Sequence, residues 1–189
     1  MEIYYERDPR EAERRCRELL QGRPGLIVVR TTVPCVWTGK RNTFDREFCG
    51  AKGIPAAYGE YLGGSIVCQP GDLSVMLISW GDKCPGFAGR CMDAAAELLT
   101  EAGAEVRRDS NDLLADGKKI ASWARATTRS GWVQTVAHFS VNTDLELIKR
   151  ICTKPMRKVP GQLSDYGITA EDILGKLNLT DWSDDNGRA

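Results

Sequence analysis

The sequence predicts an α+β fold, a mainly antiparallel sheet with flanking helices. Three observations carry that expectation: short apolar runs bounded by glycine turns, longer segments whose apolar residues recur at helical spacing, and an Asp-Gly pair of the kind that tight hairpins favour. Pro9 to Leu20 reads as a helix, because Ala12, Cys16, Leu19 and Leu20 share one face, and Gly22-Arg23-Pro24-Gly25 breaks it. Leu26-Ile27-Val28-Val29 follows as a short apolar strand and Cys35-Val36-Trp37 as a second, ending at Gly39. A helix is expected from Thr43 to Ala51, with Thr43 as its cap, Glu47 bonding back to the exposed amides and Gly53 closing it.

Between Ile54 and Trp80 the pattern is strand, loop, strand, turn, strand, punctuated by Gly63-Gly64 and Pro70-Gly71. Phe87 to Ala102 is the clearest helix, apolar at Met92, Ala95, Ala96, Leu98 and Leu99 and stopped by Gly103. Val106, Leu113 to Ala115, Lys119 to Thr127 and Trp132 to Val141 form a meander that turns at Asp116-Gly117. Asp144 to Ile151 reads as a short helix and Pro155 to Pro160 as a basic loop. Thr169 to Leu177 is the last helix, with Thr169 at its cap and Asp172 three residues on.

The chain has 189 residues, the size of one domain, and can bury a single core without metals or staples. Lys+Arg and Asp+Glu are both 26, so no basic field exists to hold a nucleic-acid backbone, and nucleic acid is not expected as a partner. No apolar run approaches the roughly 18 residues of a membrane span, and Met1 to Arg7 lacks the apolar core of a signal peptide. The expectation is a cytoplasmic protein with no membrane partner. Seven cysteines make an odd count with no C-x-x-C pair, so neither a zinc ribbon nor a disulfide framework is indicated and most thiols should fill core space. His138 is the only histidine and lies in an alternating strand, so no metal site is expected. Trp37, Trp80, Trp123 and Trp132 either line an apolar pocket or simply pack on strands.

Glycine lets backbone approach a ligand closely and leaves its amides free to donate. Two glycine-bearing segments stand out on that ground: Leu62-Gly63-Gly64-Ser65 and Asp116-Gly117-Lys118-Lys119-Ile120-Ala121-Ser122. They place the expected ligand site between the Gly63-Gly64 loop and the turn Asp116-Gly117-Lys118-Lys119. Between and after them come Asn111-Asp112-Leu113 and then His138-Phe139-Ser140-Val141-Asn142.

This order of motifs resembles the lipoate–protein ligases and lipoyl (octanoyl) transferases, which share a fold with biotin–protein ligases. Trp37-Thr38-Gly39-Lys40-Arg41-Asn42 matches that family's strand ending in Gly and Asn, and Gly63-Gly64 with Pro70-Gly71-Asp72-Leu73 matches its Gly-Gly loop and Pro-Gly turn in part. The strongest match runs from Asn111 to Ser122, followed at the family's spacing by His138 and by Val141-Asn142-Thr143-Asp144-Leu145. Leu163 to Ile168 resembles the segment entering the last helix. The resemblance implies a biotin/lipoate–protein ligase-like catalytic domain over residues 1–180, with a mixed, mainly antiparallel sheet, and a polar tail over 181–189. It also implies acyl handling. Lys119 aligns with the lysine that members place at the acyl carbonyl or adenylate, and Cys152 lies near the cysteine that transferases use as acyl acceptor. The cluster Lys149, Arg150, Lys154 would favour its thiolate. Gly63, Gly64, Ser65, Asn111, Asp112, Gly117, Ser122 and His138 are the corresponding substrate-binding candidates. An acyl-carrier or lipoyl-domain protein and a small acyl ligand are the implied partners.

The departures from the pattern matter equally. Tyr58-Gly59 stands where ligases carry paired arginines, Leu62 where transferases place an arginine, and Val67-Cys68 where the family has Tyr-His. A phosphate or carboxylate clamp is missing there. Three readings therefore stay open: an acyltransferase that moves an acyl group onto a protein or small-molecule acceptor and needs no cofactor, a non-catalytic binding protein that keeps the fold, and an ATP-dependent lipoate-type ligase that would use ATP and Mg.

Overall fold

The computed structural model describes residues 1–41, 43–60, 64–81, 86–154 and 156–179. Its main layer is a seven-stranded sheet containing β1 (Glu2–Glu6), β2 (Gly25–Arg30), β6 (Leu73–Trp80), β7 (Val106–Asp109), β8 (Asp112–Ala115), β9 (Lys118–Thr127) and β10 (Trp132–Phe139). These lie in the order β1-β2-β6-β10-β9-β8-β7, antiparallel throughout except for β1 beside β2. A second, three-stranded sheet has the order β4-β3-β5, built from β3 (Cys35–Thr38), β4 (Ala56–Tyr58) and β5 (Ser65–Cys68), with β3 and β4 parallel. The expected mixed, mainly antiparallel α+β architecture is what the chain adopts.

The continuous apolar runs of β2 and β6 follow from burial on both faces. Leu26, Val28, Leu73, Val75 and Leu77 point to one side, where α3 (Phe87–Glu101) and α5 (Ala170–Leu177) cover them. Ile27, Val29, Met76 and Ile78 point to the other, against α1 (Pro9–Leu19) and the inner face of the small sheet. The outer face of the small sheet packs Val36 and Val67 against α2 (Arg46–Ala51) and α4 (Leu145–Ile151).

Two local expectations differ from the structure. The second helix begins at Arg46, capped by Asp45, whose carboxylate accepts from Phe48 N at 2.8 Å. Thr43 is not its cap, because the Thr43 hydroxyl accepts instead from Ser65 N at 3.3 Å. The N-terminal strand β1 was not anticipated at all. Thr169 and Asp172, by contrast, form the reciprocal cap of α5.

Candidate functional site

A cavity of about 880 Å³ opens between the face of the large sheet that carries Ser122 and His138, the strand β5, the end of α4 and the loop after it. Lys119 reaches it because of a bulge. Leu113 pairs with Ala121 while Leu114 pairs with Lys119, so Ile120 is an extra residue in β9. The bulge sends both Ile120 and Ala121 into the helix-covered core and turns Lys119 to the other face. The preceding turn has positive φ at Asp116 and Gly117, 49° and 77°, the geometry a right-twisted two-residue hairpin requires.

Lys119 Nζ lies 2.9 Å from Asp112 Oδ1, and Lys158 Nζ lies 2.7 Å from the other oxygen of the same carboxylate. Lys158 also donates to Asp109 O at 3.1 Å, tying the loop after α4 to the hairpin between β7 and β8. That loop is zipped onto β9 through Lys119 N to Val159 O at 2.7 Å and Gly161 N to Lys119 O at 2.9 Å. The approach needs glycine at 161, because a Cβ there would sit 2.8 Å from both Ile120 Cδ1 and Lys118 Cβ. The cavity wall consequently carries Arg107, Lys119, Arg157 and Lys158 against Asp109 and Asp112, a positive excess in a chain of zero net charge.

The facing wall is β5. Ser65 Oγ bonds Thr38 Oγ1 at 2.8 Å and accepts from Thr43 N at 3.2 Å, while Gly39 N donates to Gly64 O at 3.0 Å. Gly63 lies outside the described residues. Behind the cavity, His138 Nδ1 meets Ser74 Oγ at 2.9 Å. Burial drives the imidazole pKa down to about 3, with the Lys119 ammonium adding to the effect, so the ring is neutral.

Cys152 closes the floor at the end of α4, where Phe44 pairs with it. Its position is set by a buried carboxylate some distance along the chain. Asp72, with no exposure, accepts from Gln69 N at 2.9 Å, Val141 N at 2.8 Å and Thr143 Oγ1 at 2.9 Å. The Gln69 side chain holds Asp144 N and O, and Asp144 in turn caps α4. Ionisation of Cys152 is disfavoured by burial, with the Lys119 ammonium opposing it. The helix end there, with its partial negative charge, pushes the same way as burial. The expected help from Lys149, Arg150 and Lys154 is absent: Lys149 pairs with Glu146, Arg150 lies over the Phe48 ring at 5.3 Å, and the net shift of the thiol is upward.

A smaller cavity of about 200 Å³ shares Ser65, Ile66, Asp112, Lys119, Ser122 and His138 with the large one. Beyond that largely polar junction it is walled by Trp37, Trp123, Ala124 and Val136, with Gly39 and Gly64. Of the four tryptophans weighed above, Trp80 and Trp132 pack edge-to-face at 5.5 Å, away from it. Trp37 Nε1 donates to Glu13 Oε1 of α1 at 2.7 Å, and burial raises the Glu13 carboxyl to about 7. A carboxyl raised in the folded state contributes stability that is full below its unfolded pKa of 4.5 and is lost as pH rises through 7. Glu13→Gln keeps an acceptor for Trp37 and removes the titration. Its unfolding free energy relative to the parent should therefore climb between pH 4.5 and 8 by an amount of order 3 kcal/mol, measured by denaturant unfolding, and a difference that stays constant across that range would contradict the assignment.

The family model of the lipoyl protein ligase A/B catalytic domain matches residues 12–174. The chain belongs to that family. No curated relative matches by sequence. Among solved structures, the fold is similar to a lipoate protein ligase of Thermoplasma acidophilum with bound lipoic acid (TM-score 0.75, 18% identity, covering 98% of this chain and 85% of that one). A study of a bi-partite lipoate protein ligase and its E2 lipoyl domain from the same organism gives 0.72 and 19%, covering 98% and 82%. A lipoate-protein ligase A bound with ATP gives 0.75 and 19%, covering 98% and 86%. At these identities the likeness is one of fold.

In this lipoyl ligase-family chain, Ser65, Asn111, Asp112, Gly117, Lys119, Ser122, His138 and Cys152 all line the larger cavity, and Gly64 lines the smaller. Arg107, Arg157 and Lys158 were missed. A basic loop was legible in sequence, but only its pairing with Lys119 shows that it faces the site. Among the described residues no cluster of His, Cys, Asp and Glu could hold a metal, and no helix is long and apolar enough to cross a membrane.

Proposed function

We propose that this chain is an acyltransferase of the lipoyl or octanoyl type, taking an acyl group from a thioester donor and passing it to an amine of a carrier protein or small acceptor. The observation that carries the reading is that Lys119 and Cys152 line one cavity with an apolar recess leading from it. The Cys152 sulfur attacks the acyl carbonyl, and negative charge on the carbonyl oxygen is stabilised by the Lys119 ammonium. Collapse expels the donor thiolate, which takes the Cys152 proton, leaving the acyl group as a thioester on Cys152. The acceptor amine then attacks that thioester, forming the amide and restoring the thiol. Lys119 serves twice, since it is also the cation that opposes the burial of the thiol.

Incubation with an octanoylated carrier should add one octanoyl mass to the intact protein. The adduct should be labile to hydroxylamine and absent from Cys152→Ala. A parent protein that stays unmodified with every thioester donor offered counts against the transferase.

The excess of cations on the cavity wall favours a second reading, an ATP-dependent ligase whose phosphate clamp comes from Arg107, Arg157 and Lys158 instead of the Gly-Gly loop. Binding of ATP with Mg, lost on Lys158→Ala, would select it over the transferase. A chain that binds an acyl ligand but neither transfers it nor binds ATP would be a binding protein.

A further inference from the structure

We propose that the acceptor amine is seated on Asp112, in the place that the chain's own Lys158 fills in this structure, so that Lys158 is an internal competitor that must move aside for transfer. The inference rests on the acyltransferase reading and adds to it the seat of the second substrate. A primary amine of the acceptor is an ammonium at neutral pH. A carboxylate is the side chain that holds such a group and takes its first proton. Asp109 and Asp112 are the carboxylates that line the large cavity. Of the two, Asp112 also borders the smaller recess and meets Lys119, with Oδ1 2.9 Å from Lys119 Nζ.

The other oxygen of Asp112 holds Lys158 Nζ at 2.7 Å. Lys158 is itself a primary alkylammonium: burial pulls its pKa down, and its bonds to Asp112 and Asp109 outweigh that and raise it. The seat can be vacated. Lys158 has a second partner in Asp109, whose carboxylate and backbone oxygens both lie at 3.1 Å, so it leaves Asp112 without losing an anion. Its departure keeps the loop in place, because Val159 O and Gly161 N are bonded to the Lys119 backbone. With Arg107, Lys119 and Arg157 on the same wall, a third ammonium on Asp112 would meet uncompensated repulsion, so the acceptor and Lys158 exclude each other. In the transfer, the acceptor ammonium passes one proton through Asp112 to water and its nitrogen bonds to the carbonyl carbon of the Cys152 thioester. The C–S bond breaks, and the sulfur takes a second proton from the nitrogen.

The test uses the full chain acylated on Cys152 by an octanoyl thioester. Release of the acyl group is followed against rising Nα-acetyl-lysine amide and, separately, against hydroxylamine, which is uncharged at neutral pH. Lys158→Met should lower the KM for the lysine probe about ten-fold, the value of one charge-assisted hydrogen bond, and gain nothing with hydroxylamine. Asp112→Asn should raise that KM by about ten-fold relative to hydroxylamine, and beside it Lys158→Met should give no further gain. Lys158→Arg, which refills the seat with another cation, should keep the parental KM and serves as the comparison if the methionine variant loosens the loop. A Lys158→Met protein with the parental KM overturns the inference. So does a gain that persists beside Asp112→Asn, because it would come from the general field of the removed charge. A parent that takes no acyl group on Cys152 overturns the transferase reading and this inference with it.

Discussion

Lys119→Ala is expected to lower the rate of acyl transfer by about 10²- to 10³-fold, the usual cost of removing one donor from a developing oxyanion. The protein should fold as before. Lys119 is 35% exposed at its side chain, and Asp112, its ion-pair partner, keeps Lys158 at 2.7 Å, so the substitution strands no buried charge. The melting temperature should stay within about 2 °C of the parent. The fall should appear in kcat more than in KM, because the ammonium meets full negative charge only as the carbonyl is attacked. Single-turnover kinetics with an octanoyl thioester, beside a thermal melt, would check both halves. A loss under ten-fold in a stable variant would remove Lys119 from the chemistry.

The second large effect is on stability and lies away from the cavity. Asp72→Ala removes the acceptor for Gln69 N, Val141 N and Thr143 Oγ1 at once, and those donors have no water to turn to. The cost should be about 3–5 kcal/mol, or about 6–20 °C in melting temperature, measured by thermal and denaturant unfolding. The segment freed is the one that carries Asp144 into α4, so the same change should disturb Cys152. The Asp72 carboxyl is itself raised to about 6 by burial, outweighing the bonds it accepts. Its stabilising contribution is therefore complete below 3.8 and declines as pH rises through 6. A variant within about 1 kcal/mol of the parent would mean that the three bonds do not hold the turn.

Much of this architecture was legible in the sequence where local chemistry decides the structure. The α3 stripe, the Asp116-Gly117 turn and the Thr169 cap are local features, and each forms as read. The losses came where a distant partner decides. In β1, Ile3, Tyr4 and Tyr5 give no alternation, and the strand exists because β2 lies beside it in parallel. Thr43 has a cap-forming side chain but spends it on Ser65, leaving Asp45 to start the helix. Of the glycine and lysine motifs, Gly117 and Lys119 line the larger cavity and Gly64 the smaller. The Ile120 bulge that aims Lys119, and the loop that brings Lys158 to Asp112, depend on strand pairing that no window of sequence displays. The charge cluster near Cys152 misled for the same reason: a helix distributes neighbouring residues around its axis, and Lys149 and Arg150 found other partners.

The most direct measurement is a crystal structure of the protein soaked with an octanoyl thioester analogue whose carbonyl is kept intact but whose leaving group is inert. The proposed site requires the acyl chain in the recess beside Ile66 and Val136, with the carbonyl oxygen within hydrogen-bond reach of Lys119 Nζ and the carbonyl carbon facing Cys152 Sγ. A chain bound elsewhere, or a carbonyl turned away from Lys119, would contradict it.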